Sequence, residues 1–410
     1  MKYQSFQLDN GLKVVVHEDH SIKVAVLNIL YDVGSKDEDP DQTGFAHLFE
    51  HLMFGGSKNI AAFDEPLQKV GGENNAFTTP DYTNYYITIP SNNLETAFWL
   101  ESDRMLSLSF DQKVLDVQKK VVVEEFKQRY LDQPYGDVWL KLRPIAYQKH
   151  PYSWPTIGKE VSHIEEAKMS DVKAFFSKYY TPNNAVLVVA GDVGFDQVKE
   201  LSEKWFGPIP KGVNYERNLP KEELQNELRH LELKGEVPLN SIYKVYHMPG
   251  RLENGYYESD LFSDLFGRGV ASRLYNSLVK EKNLMTKIGS YITGSVDPGL
   301  FVISGKLRDG ASFEAVEEAI EEEISNLQLD ITFNSELENV KVQAESSHLF
   351  SELEVLNRAM HLAYYTMLGD TELVNSDLQN IMEVKAEDVY NQAKKMLNNK
   401  NCSTLYYHKA

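Results

Sequence analysis

Apolar and polar positions alternate through the first thirty residues in three runs. Ser5–Leu8 and Leu12–His17 flank the turn Asp9-Asn10-Gly11, and Ile22–Tyr31 follows, a pattern that predicts a hairpin and a third strand. A polar loop, Ser35–Asp41, leads to Thr43, placed to cap an apolar-rich helix that stops at Gly55-Gly56. Thr83–Ile89 reads as another strand, and a long helix begins near Asp111. Helices and strands then alternate to Ala185–Ala190, closed by Gly191-Asp192.

Between Gly207 and Glu236 the chain turns polar and gathers Pro208, Pro210 and Pro220, which predicts a linker over 208–236. Beyond it the same kind of order returns: strand Ser241–His247, helix Leu261–Lys282, strand Leu300–Ser304, then an acidic helix. In that helix Val316, Ile320, Ile324 and Leu327 form the apolar stripe, leaving Glu317, Glu318, Glu321 and Glu322 as its solvated face. Ile164-x-x-x-Lys168-x-x-Asp171-Val172 recurs as Ile381-x-x-x-Lys385-x-x-Asp388-Val389, each followed by a helix and a strand. The echo sits at the end of both halves and points to a duplicated architecture. The expected fold is therefore α+β: two homologous domains, 1–207 and 237–410, each a mainly antiparallel sheet packed with helices.

Composition narrows the class. At 410 residues the chain exceeds one ordinary core, which agrees with two domains. Its 42 basic against 61 acidic side chains give a net charge of −19, which argues against a nucleic-acid surface. Mean hydropathy is −0.42, and no stretch approaches the roughly 18 apolar residues of a membrane span. No apolar signal core lies at the N-terminus, so the expected compartment is the cytoplasm, or the periplasm if a signal segment was removed. The single cysteine, Cys402, excludes a disulfide framework and a cysteine-based metal site and reads as an inert core thiol.

The strongest chemical signal is His47-Leu48-Phe49-Glu50-His51. On a helix, positions i and i+4 share a face, so both imidazoles can reach one ion, with Glu50 beside them. This is the H-x-x-E-H arrangement of zinc hydrolysis. Two surface histidines on a helix would be the bland alternative; the apolar flanks Phe45, Leu48, Phe49, Leu52 and Met53 weigh against it. A catalytic zinc needs a third protein ligand and an open position. A carboxylate is expected, and Val121-Val122-Val123-Glu124-Glu125 offers two that periodicity alone does not separate.

With these motifs in view, the chain resembles the pitrilysin, insulin-degrading enzyme and mitochondrial processing peptidase family over nearly its whole length, and most of all its short bacterial members. The resemblance implies that His47 and His51 bind zinc, Glu50 is the general base and Glu125 completes the site. It favours Glu125 over Glu124 through the segment Gln118–Glu125, whose usual first glutamate is here Gln118, an amide that can orient a ligand without adding charge. It also implies that Gly71–Thr78 and Thr83–Tyr86 border the substrate cleft. There Asn75 would bond the substrate backbone as a peptide adds to a sheet edge, with Ala76 lining the cleft. Active single-chain members carry an arginine and a tyrosine after the glycine-rich Gly267–Tyr275 segment. Those positions hold Val279 and Thr286 here, while Lys280 and Tyr291 stand nearby out of register. The implied protein is half of a clam-like peptidase shell enclosing a peptide chamber: a zinc endopeptidase subunit for unfolded peptides. It would be completed by a homologous partner lacking the zinc motif, with a homodimer or a non-catalytic assembly subunit as the alternatives.

Overall fold

The computed structural model describes residues 1–410. The chain forms two compact units. The first has a six-stranded sheet of β1 (Gln4–Gln7), β2 (Lys13–Glu18), β3 (Val24–Tyr31), β4 (Glu73–Thr78), β5 (Thr83–Pro90) and β6 (Ala185–Gly191), in the order β1-β2-β6-β3-β5-β4. The second has β7 (Arg229–Gly235), β8 (Ser241–Met248), β9 (Met285–Ile292), β10 (Gly299–Leu307) and β11 (Cys402–Lys409), in the order β7-β11-β8-β10-β9. The two orders superimpose strand for strand, with β1 an extra edge. In each sheet one pair is parallel, β2 with β6 and β7 with β11, and every other pair is antiparallel. The α+β duplication expected from the sequence is present.

The echoed segments occupy equivalent places. Lys168 and Lys385 are the N-caps of helices Met169–Tyr179 and Ala386–Met396, which lead into β6 and β11. Val172 and Val389 are buried in both.

The units are not contiguous halves of the chain. Residues 128–153 belong to the second unit and residues 349–376 to the first. Helix Val355–Met367 packs Val355, Ala359, Leu362 and Ala363 on Val26 and Leu30 of β3 and Val186, Val188 and Ala190 of β6. Helix Val138–Ala146 packs Val138, Leu142 and Ala146 on Val245 of β8, Val302 of β10 and Leu405 of β11. Alternate strand residues supply these faces, as the two-residue period requires. Each half of the sequence thus lends one helix to the other unit's sheet.

Local expectations need three corrections. The stretch 208–236 is not all linker, because Arg229–Gly235 pairs in parallel with β11 as an edge strand. The helix expected over Leu261–Lys282 is interrupted: a regular helix covers Tyr256–Gly267, and a wide π-type turn covers Tyr275–Glu281. Between them Gly269 takes φ +78°, which suits glycine and breaks the helix. The acidic face of Phe313–Ser325 is not simply solvated, for Glu317 and Glu321 hold the buried Lys244 at 2.7 and 3.3 Å. In the polar loop Ser35, Lys36, Asp37 and Glu38 are buried, while Asp39, Pro40 and Asp41 are exposed. Lys36 pairs with Asp81 at 2.7 Å, and Arg217 reaches Asp37 at 2.7 Å. No helix is long and apolar enough to cross a membrane.

Candidate metal centre

Helix Phe45–Leu52 is only eight residues long, too short to persist in water by itself. Packing holds it. Leu48 and Phe49 are fully buried, and the Phe49 ring stacks on Phe175 at 4.9 Å and Tyr180 at 5.1 Å. Each such side chain contributes roughly 1.5–3 kcal/mol. Thr43 does not cap the helix as its position suggested. Its hydroxyl accepts from the Lys159 N–H at 2.8 Å and meets His163 Nδ1 at 2.8 Å. The N-cap is Gly44, at φ 88° and without a side chain to offer.

The cap comes from Glu38. Its Oε2 accepts from Gly44 N at 2.9 Å and its Oε1 from Ala46 N at 2.8 Å. Trp154 Nε1 donates to Oε2 at 3.1 Å. Burial pushes the Glu38 carboxyl up to about 8, against the pull of these three donors.

Glu125 arrives on helix Gln112–Phe126, whose N-cap Asp111 accepts from Lys113 N at 2.7 Å. Leu115, Val122, Val123 and Phe126 bury one face. The two glutamates that periodicity left unresolved part company here. Glu124 is exposed and pairs with Lys127 at 2.9 Å. Glu125 Oε2 lies 3.7 Å from His47 Nε2 and 3.4 Å from His51 Nε2. The His47, His51 and Glu125 ligand atoms all fall within 4.8 Å of one another, and no other trio of His, Cys, Asp or Glu comes together this way.

The donor set fits zinc. Bonds of about 2.0–2.1 Å in tetrahedral geometry separate ligand atoms by roughly 3.4 Å, close to the two distances to Glu125. Two imidazoles and one carboxylate are a common catalytic set that leaves a fourth position open.

Glu50 is half-buried beside these ligands, and its Oε2 accepts from Thr78 Oγ1 at 2.6 Å. Thr78 ends β4, one of the two edge strands of the sheet. Asn75 and Ala76 lie on the same strand, opposite Tyr86 and Tyr85 of β5. Asn75 is exposed, but its Oδ1 accepts from the Ala76 N–H at 2.8 Å, so the amide faces its own strand. Gln118 is half-buried two turns before Glu125 on the same helix.

The positions to which the resemblance assigns an arginine and a tyrosine hold neither. Val279 packs against the core of the second unit. Thr286 is exposed on β9, its hydroxyl donating to Lys306 O at 3.2 Å. Lys280 is engaged by Val270 O at 3.0 Å and Asn276 Oδ1 at 2.8 Å.

Residues 13–160 match the model for insulinase (peptidase family M16), and residues 167–343 match that for the peptidase M16 inactive domain. Together the matches cover most of the chain. The chain belongs to peptidase family M16. Both histidines, Glu50 and Glu125 fall inside the first match. Among its relatives, this M16 chain is 30% identical to zinc protease PqqE of Helicobacter pylori over 414 residues, 99% of this chain and 92% of that one. A crystal structure of a protease from Helicobacter pylori matches with TM-score 0.91 and 27% identity, covering 99% of both chains. The periplasmic protease PqqL of Escherichia coli shares the fold at TM-score 0.80 and 18% identity. There the match covers 99% of this chain but 47% of PqqL.

Glu38, Thr78 and Trp154 were not singled out from the sequence. Thr78 lay inside a segment already tied to the cleft. Nothing local marked Glu38, because its partners sit six and eight residues on and across the fold at Trp154.

Proposed function

We propose that the chain is the zinc-bearing subunit of an endopeptidase that hydrolyses unfolded peptides. The observation that carries this reading is the trio His47, His51 and Glu125 at zinc-like spacing, beside a carboxylate that ligates nothing in it. Zinc bound there supplies a positive charge that polarises a carbonyl and acidifies water. Glu50 takes the proton of the attacking water on its carboxylate as the new C–O bond forms. It returns that proton to the amide nitrogen as the C–N bond breaks. Thr78 holds Glu50 in place through Oε2.

The substrate adds to the exposed edge of β4, where main-chain pairing gives affinity with little sequence demand. Asn75 turns from the Ala76 N–H to the substrate backbone, and Ala76 lines the cleft. Gln118 supports Glu125 from the same helix.

A homologous partner completes the site by supplying an arginine and a tyrosine, and the pair encloses a peptide chamber. Val279 and Thr286 cannot do that chemistry, and Lys280 is already bonded within its own turn. The fold match to PqqL, a chain about twice as long, supports a two-chain assembly. A non-catalytic subunit would have no use for ligands held at this spacing.

Zinc-loaded protein should be assayed on a quenched fluorogenic peptide library, alone and mixed with the candidate partner. Cleavage only in the mixture, abolished by a chelator, is the expected result. Full cleavage by the isolated chain would replace the heterodimer with a homodimer, and no cleavage in either case would overturn the peptidase reading.

A further inference from the structure

We propose that Glu38 is the positioning residue of the metal helix, setting zinc affinity without touching the metal. This rests on the zinc reading above. The helix that carries both histidines has no cap of its own, since Gly44 offers no side chain. Four N–H groups at a helix start lack intrahelical partners, and Glu38 takes up two of them around the first turn, at Gly44 and Ala46. Ala46 immediately precedes His47, so the anchored Phe45–Ala46 peptide group lies one link before the first ligand.

Glu38 is itself fixed. It is buried, at 6% exposure. Trp154, which binds it, also donates to Ser35 O at 3.0 Å, so one indole N–H ties the loop and its carboxylate together. Three N–H groups, of Gly44, Ala46 and Trp154, hold the two oxygens of Glu38 in place. A negative or strongly dipolar acceptor at a helix N-terminus is favoured further by the helix dipole. Without it, an eight-residue helix can shift or rotate, and its two imidazoles no longer meet Glu125 at 3.7 and 3.4 Å.

Loss of a hydrogen bond made directly to a metal ligand costs about 10- to 100-fold in metal affinity. Glu38 bonds the helix and not a ligand side chain, so Glu38→Ala should lie at the lower end, about tenfold. The measurement is competition for zinc against a chromogenic chelator, on the full chain well below its unfolding midpoint. Glu38→Gln keeps one acceptor oxygen and should lose less. Ser312→Ala supplies the control: it removes the cap that accepts from Ala315 N at 3.1 Å on a helix of the second unit. It should lower the midpoint and leave zinc affinity at the parental value.

A Glu38→Ala chain that is folded, less stable and still binds zinc like the parent would make Glu38 a mere cap and overturn the proposal. If Glu38→Ala does not fold, Glu38→Gln decides by the same criterion. A parent that binds no zinc would overturn the metal reading itself, and the positioning role with it; that outcome is distinct because the parent, not the variant, fails.

Discussion

The two units share a sheet order and the same succession of strand, helix, turn, edge strand and neighbouring strand, yet only one gathers two histidines and a glutamate that could hold a metal. In the first, helix Phe45–Leu52 presents Glu50 to Thr78 at the end of edge strand β4. In the second, helix Tyr256–Gly267 meets edge strand β9 through small groups. Ser290 Oγ donates to Ser263 O at 2.8 Å, and Gly267 lies so close that an added Cβ would stand 2.1 Å from Ser290 N. The wedge between helix and edge strand is open enough in one copy to be spanned by the Glu50–Thr78 bond and is closed on glycine and serine in the other. Both copies keep the scaffold and differ in the residues that face this wedge.

The largest expected effect tests the open wedge. Glu50→Gln should retain zinc and lose turnover by about two to four orders of magnitude, the range of general acid–base catalysis. His51→Ala should lose both. Cleavage rates of a fluorogenic peptide, with zinc content measured on the same samples, check the pair. A Glu50→Gln chain cutting at near-parental rate would remove Glu50 as the base.

The closed wedge is tested by Gly267→Ala. Its new methyl would meet Ser290 N and Oγ, at 2.1 and 2.3 Å, and force strand and helix apart. Overpacking of this kind costs typically 1–3 kcal/mol, read as a lower urea midpoint, with zinc affinity unchanged. A neutral outcome would mean that the second unit has slack at this wedge and that the contrast is one of composition alone.

The open wedge was far more legible in the sequence than the closed one. His47, Glu50 and His51 are neighbours on one helix, so their spacing alone announces a shared face. Glu125 is 74 residues beyond His51, and only the resemblance to a known family chose it over Glu124; the structure places it at the histidines. Glu38 was invisible because an acid in a polar loop ordinarily faces water, and only the fold shows the first half of this loop buried. Gly267 was read as part of a glycine-rich segment, since nothing in the chain says which backbone comes within reach of its Cα. The exchange of helices Val138–Ala146 and Val355–Met367 was likewise unreadable. Each is an ordinary amphipathic helix, and periodicity reports that a face is apolar but not which sheet will cover it.

A finer probe separates holding the base from making it. Thr78→Val removes the donor to Glu50 while keeping the side chain's shape, and a hydrogen bond to a charged group is worth about 1.5–3 kcal/mol. Part of that loss will be taken up by water, so a fall of about tenfold in kcat is expected, with KM and zinc content near parental values. Thr78→Ser, which restores the hydroxyl, should recover most of the rate. Equal losses in both variants would assign Thr78 to packing of β4.

The smallest effect lies on the helix of the second unit that corresponds to the metal helix. Burial first, and the neighbouring charge of Asp264 next, push the Asp260 carboxyl up to about 6, while Arg251 and Arg268 pull it down. The folded chain therefore keeps a proton that the unfolded chain releases at the ordinary carboxylate value near 3.8. Stability from this group is full below that value and declines as pH rises through about 6, after which it is level. Other carboxylates impose their own slopes, so the readout is the difference between parent and Asp260→Asn in urea midpoint across that window. The difference should move in favour of the variant as pH rises from 4 to 6. A constant difference would show that burial does not raise the Asp260 carboxyl and that the second unit's helix buries no carboxyl at a cost.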